Sequence, residues 1–218
     1  MGRVILVSSP KGGTGKSAIS RHLLVCAQTA GLDAVGVDFD PQRSFSKWAS
    51  AREAQRRVRF PDQIETKVYE ATFKDWRSGF VQASGASLGI VDTPPNVESA
   101  VSEMGQMSES ADLVLVPCGC TTDDLDSVEP WILALQSRGV KPIVVLNKAN
   151  SRVLSFKKIR SRFLAIGEVC PVELPNLEDF HTFSAAGMTL LDTQKSRGRD
   201  PVIDLWQFVS RSVGLVPA

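Results

Sequence analysis

Pro10–Ser17 reads PKGGTGKS and follows directly on the apolar run Arg3–Ser8, RVILVS. A buried strand that breaks into glycines and lysines and then opens a helix is an arrangement that cradles phosphate. The glycines let backbone N–H groups wrap the anion, and the helix N-terminus adds its dipole. Gly12, Gly13, Thr14, Gly15, Lys16, Ser17 and Ala18 are therefore the candidate phosphate-binding residues. Lys16 is placed to bridge the β- and γ-phosphates of a nucleoside triphosphate, and the Ser17 hydroxyl to ligate Mg²⁺. The general pattern G-x-x-x-x-G-K-[ST] asks for glycine where Pro10 stands. The segment is instead the variant K-G-G-x-G-K-[ST], with an additional lysine, Lys11, at its start.

Outward from this loop, apolar runs alternate with helical periodicity. Ser17–Ala30 carries Ile19, Leu23, Cys26 and Ala30 at helical spacing, and Gly31 is a stop signal. Ala34–Asp38, Leu88–Asp92, Leu113–Pro117 and Pro142–Asn147 are further short runs rich in Val, Ile and Leu, each closed by polar or Gly/Pro punctuation. Continuous rather than alternating apolar runs predict strands covered on both faces. The fold class is thus α/β: a single-domain, doubly wound, mostly parallel sheet over residues 1–218 with helices on both faces. Handed crossovers place its functional loops at the C-terminal strand ends. Between residues 48 and 87 we expect a helix, a loop at Pro61, an edge strand near Lys67–Tyr69 and another helix. Residues 174–200 read as loop with a helical piece near Glu178–Ala186.

The composition narrows the classes of partner. The 218 residues carry 25 Lys plus Arg against 24 Asp plus Glu, a net charge of +1. No global field demands nucleic acid or membrane, so any such partner must meet a local patch. Cys26, Cys118, Cys120 and Cys170 show no zinc spacing and read as reduced thiols of a cytoplasmic protein. There is no apolar run of about 20 residues, and Val4–Val7 is too short for a secretory signal. His22 and His181 read as structural or surface histidines.

The loop with Lys11 resembles the deviant Walker A motif of the ParA/MinD superfamily of P-loop ATPases. The resemblance extends from Met1 to about residue 215. It is nearest to short, ParF-like partition ATPases, which PQRSFSKW after the second strand supports. It implies ATP and Mg²⁺ as ligands and an ATP-dependent homodimer in which Lys11 reaches across to the partner's nucleotide. Val37–Gln42, VDFDPQ, matches the family's second acidic motif. Asp38 ends a strand, where a carboxylate can hold a water of the Mg²⁺ shell. The resemblance gives Asp40 the attacking water, so Lys11, Lys16 and Asp40 are the catalytic candidates. Alone, D-x-D at a strand end reads rather as a turn with Asx hydrogen bonds. Leu88–Pro95, LGIVDTPP, is similar to a Walker B strand, with Asp92 supporting Mg²⁺ through water. Asp124 stands at the family's usual acidic position. The resemblance also assigns Asn147 to the adenine and Pro175 and Asn176 to the segment that closes over the base.

Lys148–Arg162 contains Lys148, Arg152, Lys157, Lys158, Arg160 and Arg162 and no acid. Lys195, Arg197 and Arg199 form a second cluster. Similar partition ATPases bind DNA non-specifically through basic residues of the C-terminal half. Lys157, Lys158, Arg160, Arg162, Lys195, Arg197 and Arg199 are therefore the DNA candidates, although such runs also occur as solvated faces. Together these features imply a nucleoid-associated ATPase that positions or segregates a cargo, stimulated by a ParB-like or cargo-linked adaptor. Two other readings stay open. One is a MinD-like ATPase on a membrane surface. The C-terminal Ile203, Trp206, Phe208, Val209 and Val213 read better as a packed helix, so no stable membrane association is expected. The other is a small-molecule P-loop enzyme resembling dethiobiotin synthetase.

Overall fold

The computed structural model describes residues 1–59, 64–95, 100–150 and 153–215. Its centre is one parallel sheet of seven strands in the order β3-β2-β4-β1-β5-β6-β7. The strands are β1 Arg3–Val7, β2 Ala34–Asp38, β3 Val68–Glu70, β4 Leu88–Asp92, β5 Leu113–Cys118, β6 Ile143–Leu146 and β7 Glu168–Val169. Eight helices connect or follow them: α1 Lys16–Thr29, α2 Ser44–Arg59, α3 Trp76–Ser84, α4 Val101–Ser110, α5 Thr122–Ser137, α6 Leu154–Ile166, α7 Asp179–Ala185 and α8 Arg199–Ser212.

The pleat explains the two-sided burial. Along β1, Ile5 and Val7 face one core layer while Val4 and Leu6 face the other. The first layer packs α1, α2 and α8 through Leu23, Phe45 and Leu205. The second packs α3, α4, α5 and α6 through Phe80, Met104, Ile132 and Phe163. The expected doubly wound sheet is thus the observed one. The order of strands reverses beside β1, where β1 pairs with β4 on one side and β5 on the other. That switch point is where an open α/β sheet leaves a crevice, and the loop Ser8–Gly15 fills its mouth.

Local departures from the sequence reading have physical causes. The edge strand lies one residue later than expected, at Val68–Glu70, set by pairing Gly36 with Val68. The helix after β2 opens at Ser44 rather than near residue 48, because Asp38 supplies its N-terminal acceptor. On α8 the buried stripe is Val202, Leu205, Trp206, Val209 and Val213, whereas Ile203 and Phe208 are only partly covered. The helical period fixes this stripe on Val202 and displaces the two predicted residues to its edges. Pro61 and Arg152 lie outside the described residues.

Candidate functional site

The C-terminal ends of β1, β2 and β4 bring the expected loops together. Gly15, at φ 99°, ends the loop, and α1 begins at Lys16. A Cβ on Gly15 would stand 2.0 Å from Asn147 Nδ2. Glycine is therefore required twice at this position, for its conformation and for its neighbour. Asn147, at the end of β6, donates Nδ2 to the Thr14 carbonyl at 2.8 Å, while its Oδ1 accepts from the Lys148 amide. It ties the fifth and sixth strands to the phosphate loop. The Lys16 ammonium is buried and donates to the Lys11 carbonyl at 3.0 Å. Burial holds its pKa below the ordinary lysine value.

Asp92 is fully buried at the end of β4. Its Oδ1 accepts from Ser20 Oγ at 3.0 Å, and the neighbouring Ser17 hydroxyl favours its charged form. Burial, together with the neighbouring Asp38, pushes its pKa up to about 7 despite these two hydroxyls. Oδ2 has no hydrogen-bond partner among the described residues. An orphaned carboxylate oxygen next to a loop hydroxyl fits a divalent cation or its bound water.

Asp38 stands opposite Asp92 in the β2–β4 register and is equally buried. Its oxygens are already engaged. Oδ2 accepts from the amides of Phe45 and Ser46 and from Ser46 Oγ, capping α2, and Oδ1 accepts from the Asp40 amide at 2.9 Å. Asp38 therefore shapes the loop that carries Asp40. Asp40 is buried, with Oδ1 receiving the Gln42 amide at 2.8 Å.

A cleft of about 290 Å³ collects the phosphate loop, Asp40 and Asn147, while Asp38, Asp92 and Thr14 lie behind its lining. Gly12, Gly13, Gly15, Lys16, Ser17, Ala18, Asp40, Asn147, Pro175 and Asn176 all line it. Seven further lining residues were not among the sequence candidates for this site, Arg21, Phe180 and His181 among them. Nothing in helical periodicity marks Arg21 as different from a solvated arginine. A larger cavity of about 660 Å³ lies at the other end of α1, between α1 and α8. It contains no glycine loop and is not where the phosphate-binding groups converge.

Lys11 is absent from the lining of the cleft. Its ammonium pairs with Asp124 Oδ1 at 2.8 Å, which raises its pKa. The DNA candidates do not form one uniform patch. Lys157 and Lys158 are exposed on α6 and make no ion pair among the described residues. Arg160 pairs with Glu173 at 3.2 Å, and Arg162 pairs with Glu129 on α5. Lys195 and Arg197 are exposed ahead of α8, whereas Arg199 is half-buried against the larger cavity.

Among the described residues, no helix is long and apolar enough to cross a membrane. No group of three or more His, Cys, Asp or Glu among them could hold a metal ion by itself. A cation in the cleft would have to share its shell with a ligand.

Comparison with solved structures shows how widely this fold is used. A chain of the MinC:MinD cell division protein complex of Aquifex aeolicus superposes with a TM-score of 0.78 at 16% identity, covering 96% of each chain. A plasmid partition protein of Borrelia burgdorferi bound to AMPPNP gives 0.74 at 11%, covering 97% of this chain and 99% of that one. Cobyrinic acid a,c-diamide synthase of Mycobacterium smegmatis, with an ATP analog and magnesium, gives 0.71 at 15%, covering 97% and 95%. No curated protein matches the sequence. The family described as the CobQ/CobB/MinD/ParA nucleotide binding domain matches residues 5–190. With that span covering the phosphate loop, both acidic strand ends and Asn147, the chain belongs to the CobQ/CobB/MinD/ParA family of nucleotide-binding domains.

Proposed function

We propose that this chain is a ParA-like ATPase. It binds ATP with Mg²⁺, closes into a nucleotide-sandwich homodimer and binds DNA non-specifically in that state. It thereby positions or segregates a cargo on the nucleoid, and a partner protein stimulates hydrolysis. The observation that carries this reading is the division of labour between two lysines of one loop. Lys16 lies in the chain's own cleft, whereas Lys11 points away from it to Asp124. A loop that keeps a second cation outside its own site has one to offer to another copy.

In this reading the loop amides and Lys16 hold the phosphates, and Ser17 and Asp92 hold the ion. Magnesium, when bound, supplies positive charge against the phosphate oxygens. Asp38 positions the Asp40 loop, and Asp40 orients or polarises the attacking water; phosphoryl transfer asks little more of the protein. Asn147, Pro175 and Asn176 flank the base. Neighbours bound to AMPPNP and to an ATP analog with magnesium lend this ligand assignment support. The apolar stripe of α8 lies in the core, which favours DNA over membrane as the surface engaged. The test is size-exclusion chromatography with and without ATP, alongside anisotropy on random duplex DNA and sedimentation with anionic liposomes. ATP should produce a dimer that binds DNA and stays in the supernatant with liposomes. Sedimentation with liposomes would favour the MinD-like alternative. Turnover that requires only a metabolite would favour the small-molecule enzyme.

A further inference from the structure

Arg21 is a half-buried cation with no ion-pair partner among the described residues. It lies on α1 and lines the same cleft as Ser17 and Ala18. Its guanidinium donates to Ser184 Oγ on α7, and its Nε is buried with no acceptor among the described residues. None of the ion pairs among the described residues includes it, and Asp92 attracts it only at longer range. Burial pushes its pKa down to about 10. The same fold shows what a structural arginine looks like. Arg52 on α2 is buried more deeply still, and Asp192 meets it with both oxygens, at 2.7 and 3.0 Å. A guanidinium is hard to deprotonate and carries several donors. Burying one beside a neutral hydroxyl alone is unfavourable unless a ligand completes the pair.

Position identifies the missing half. Arg21 follows Ser17 by four residues and Ala18 by three, so all three share one face of α1. Helical side chains lean toward the N-terminus, which carries the Arg21 fork back toward the phosphate loop. Its approach is from the α7 side, where Phe180 and His181 also line the cleft. We infer that Arg21 is a nucleotide-binding residue that pairs with the α-phosphate, at the ribose end of the phosphate chain, and links that end to α7 through Ser184. The inference rests on the nucleotide reading of the cleft and adds to it a residue that holds the end of the phosphate chain next to the ribose.

The test compares the parent with Arg21→Met, which keeps the buried stem, and Arg21→Lys, which keeps the charge without the fork. Thermal melting of each ligand-free protein is followed by calorimetric titration with Mg·ADP and with magnesium tripolyphosphate. Arg21→Met should melt no lower than the parent, because an unpaired buried charge has been removed. Its ADP affinity should fall by about tenfold or more, tripolyphosphate, whose terminal phosphate takes the α position, should lose affinity as well, and Arg21→Lys should recover part of the loss. Three results overturn the assignment: ADP binding equal to the parent's, a loss for ADP with tripolyphosphate binding unchanged, which would place the fork on the nucleoside, or a lower ligand-free melting temperature that Ser184→Ala reproduces. The last would make Arg21 a strut to α7. A parent that binds neither ligand would remove the nucleotide reading itself, and this inference with it.

Discussion

The Lys11 ammonium lies 2.8 Å from Asp124 Oδ1, while Asp124 Oδ2 accepts from the Thr121 amide and hydroxyl and so closes the capping box of α5. One carboxylate thus serves two tasks on separate oxygens. In the proposed dimer Lys11 must leave this pair to reach the other copy's phosphates. Asp124→Asn keeps an oxygen for the cap and removes the charge that retains Lys11. We expect ATP-dependent dimerisation to appear at a several-fold lower protein concentration, measured by sedimentation velocity. A dimer no tighter than the parent's would show that the pair does not compete with assembly. Both groups are part-exposed, so the effect should shrink as salt rises.

Binding and turnover should separate at two buried residues of the same cleft. Lys16 is the cation aimed at the phosphates, and Lys16→Ala should abolish ATP binding in a fluorescence titration. Asp40 acts on water in the proposed reaction and holds only its own loop, through the Gln42 amide. Asp40→Ala should keep ATP and the dimer while phosphate release falls by about a hundredfold or more. Normal phosphate release from Asp40→Ala would remove the carboxylate from its assigned role.

The wall beside the cleft should be sensitive to acid. His22 is buried; its Nδ1 lies 2.6 Å from the Ala18 carbonyl, and its Nε2 accepts from the Leu190 amide. The imidazole is therefore neutral, and burial pushes its pKa from 6.5 down to about 4, with Arg21 and Arg52 adding to the shift and Asp192 opposing it. The unfolded chain takes up this proton near pH 6.5 and the folded one only near 4. Stability should then fall as pH drops through that window, by roughly 3 kcal/mol once both states are protonated. Urea midpoints between pH 7 and pH 4.5 should show this slope in the parent and lose most of it in His22→Gln. Parallel slopes in the two proteins would place the acid sensitivity elsewhere.

What the sequence revealed and what it hid follow a physical divide. Strand runs, the glycine loop and the acidic strand ends are local signals, and β1, β2 and β4 lie where their apolar runs predict. That Asp38 also caps α2 was hidden, because nothing local shows that residues 45 and 46 will turn their amides onto it. Arg21 looked like any helical arginine, since its burial depends on α7, more than 150 residues later. β7 spans only Glu168–Val169 and exists through pairing with β6, so it leaves no run to read. The basic stretch Lys148–Arg162 contains no acid of its own, yet Glu129 and Glu173 from outside it neutralise two of its arginines.

That neutralisation decides how the DNA reading should be tested. An arginine already paired with a carboxylate must break that pair, or carry the carboxylate's repulsion with it, before it can hold a phosphate. Lys157 and Lys158 have no such competitor among the described residues, and both are exposed on one turn of α6. They should carry most of the contact, with Lys195 and Arg197 as the second element. Each phosphate contact gains mainly by counterion release, so one copy of the patch binds weakly. Pairing two copies on an ATP dimer raises the effective concentration of the second without altering the patch. Anisotropy on random duplex DNA should therefore show binding only with ATP, a steep loss with salt and little preference for sequence. Lys157→Glu with Lys158→Glu should abolish binding while the ATP dimer still forms, and Lys11→Ala should abolish both. Arg162→Ala should lose little, because it leaves Glu129 behind but removes no free cation. If the double lysine reversal binds DNA as the parent does, α6 is a solvated face and the contact surface lies elsewhere.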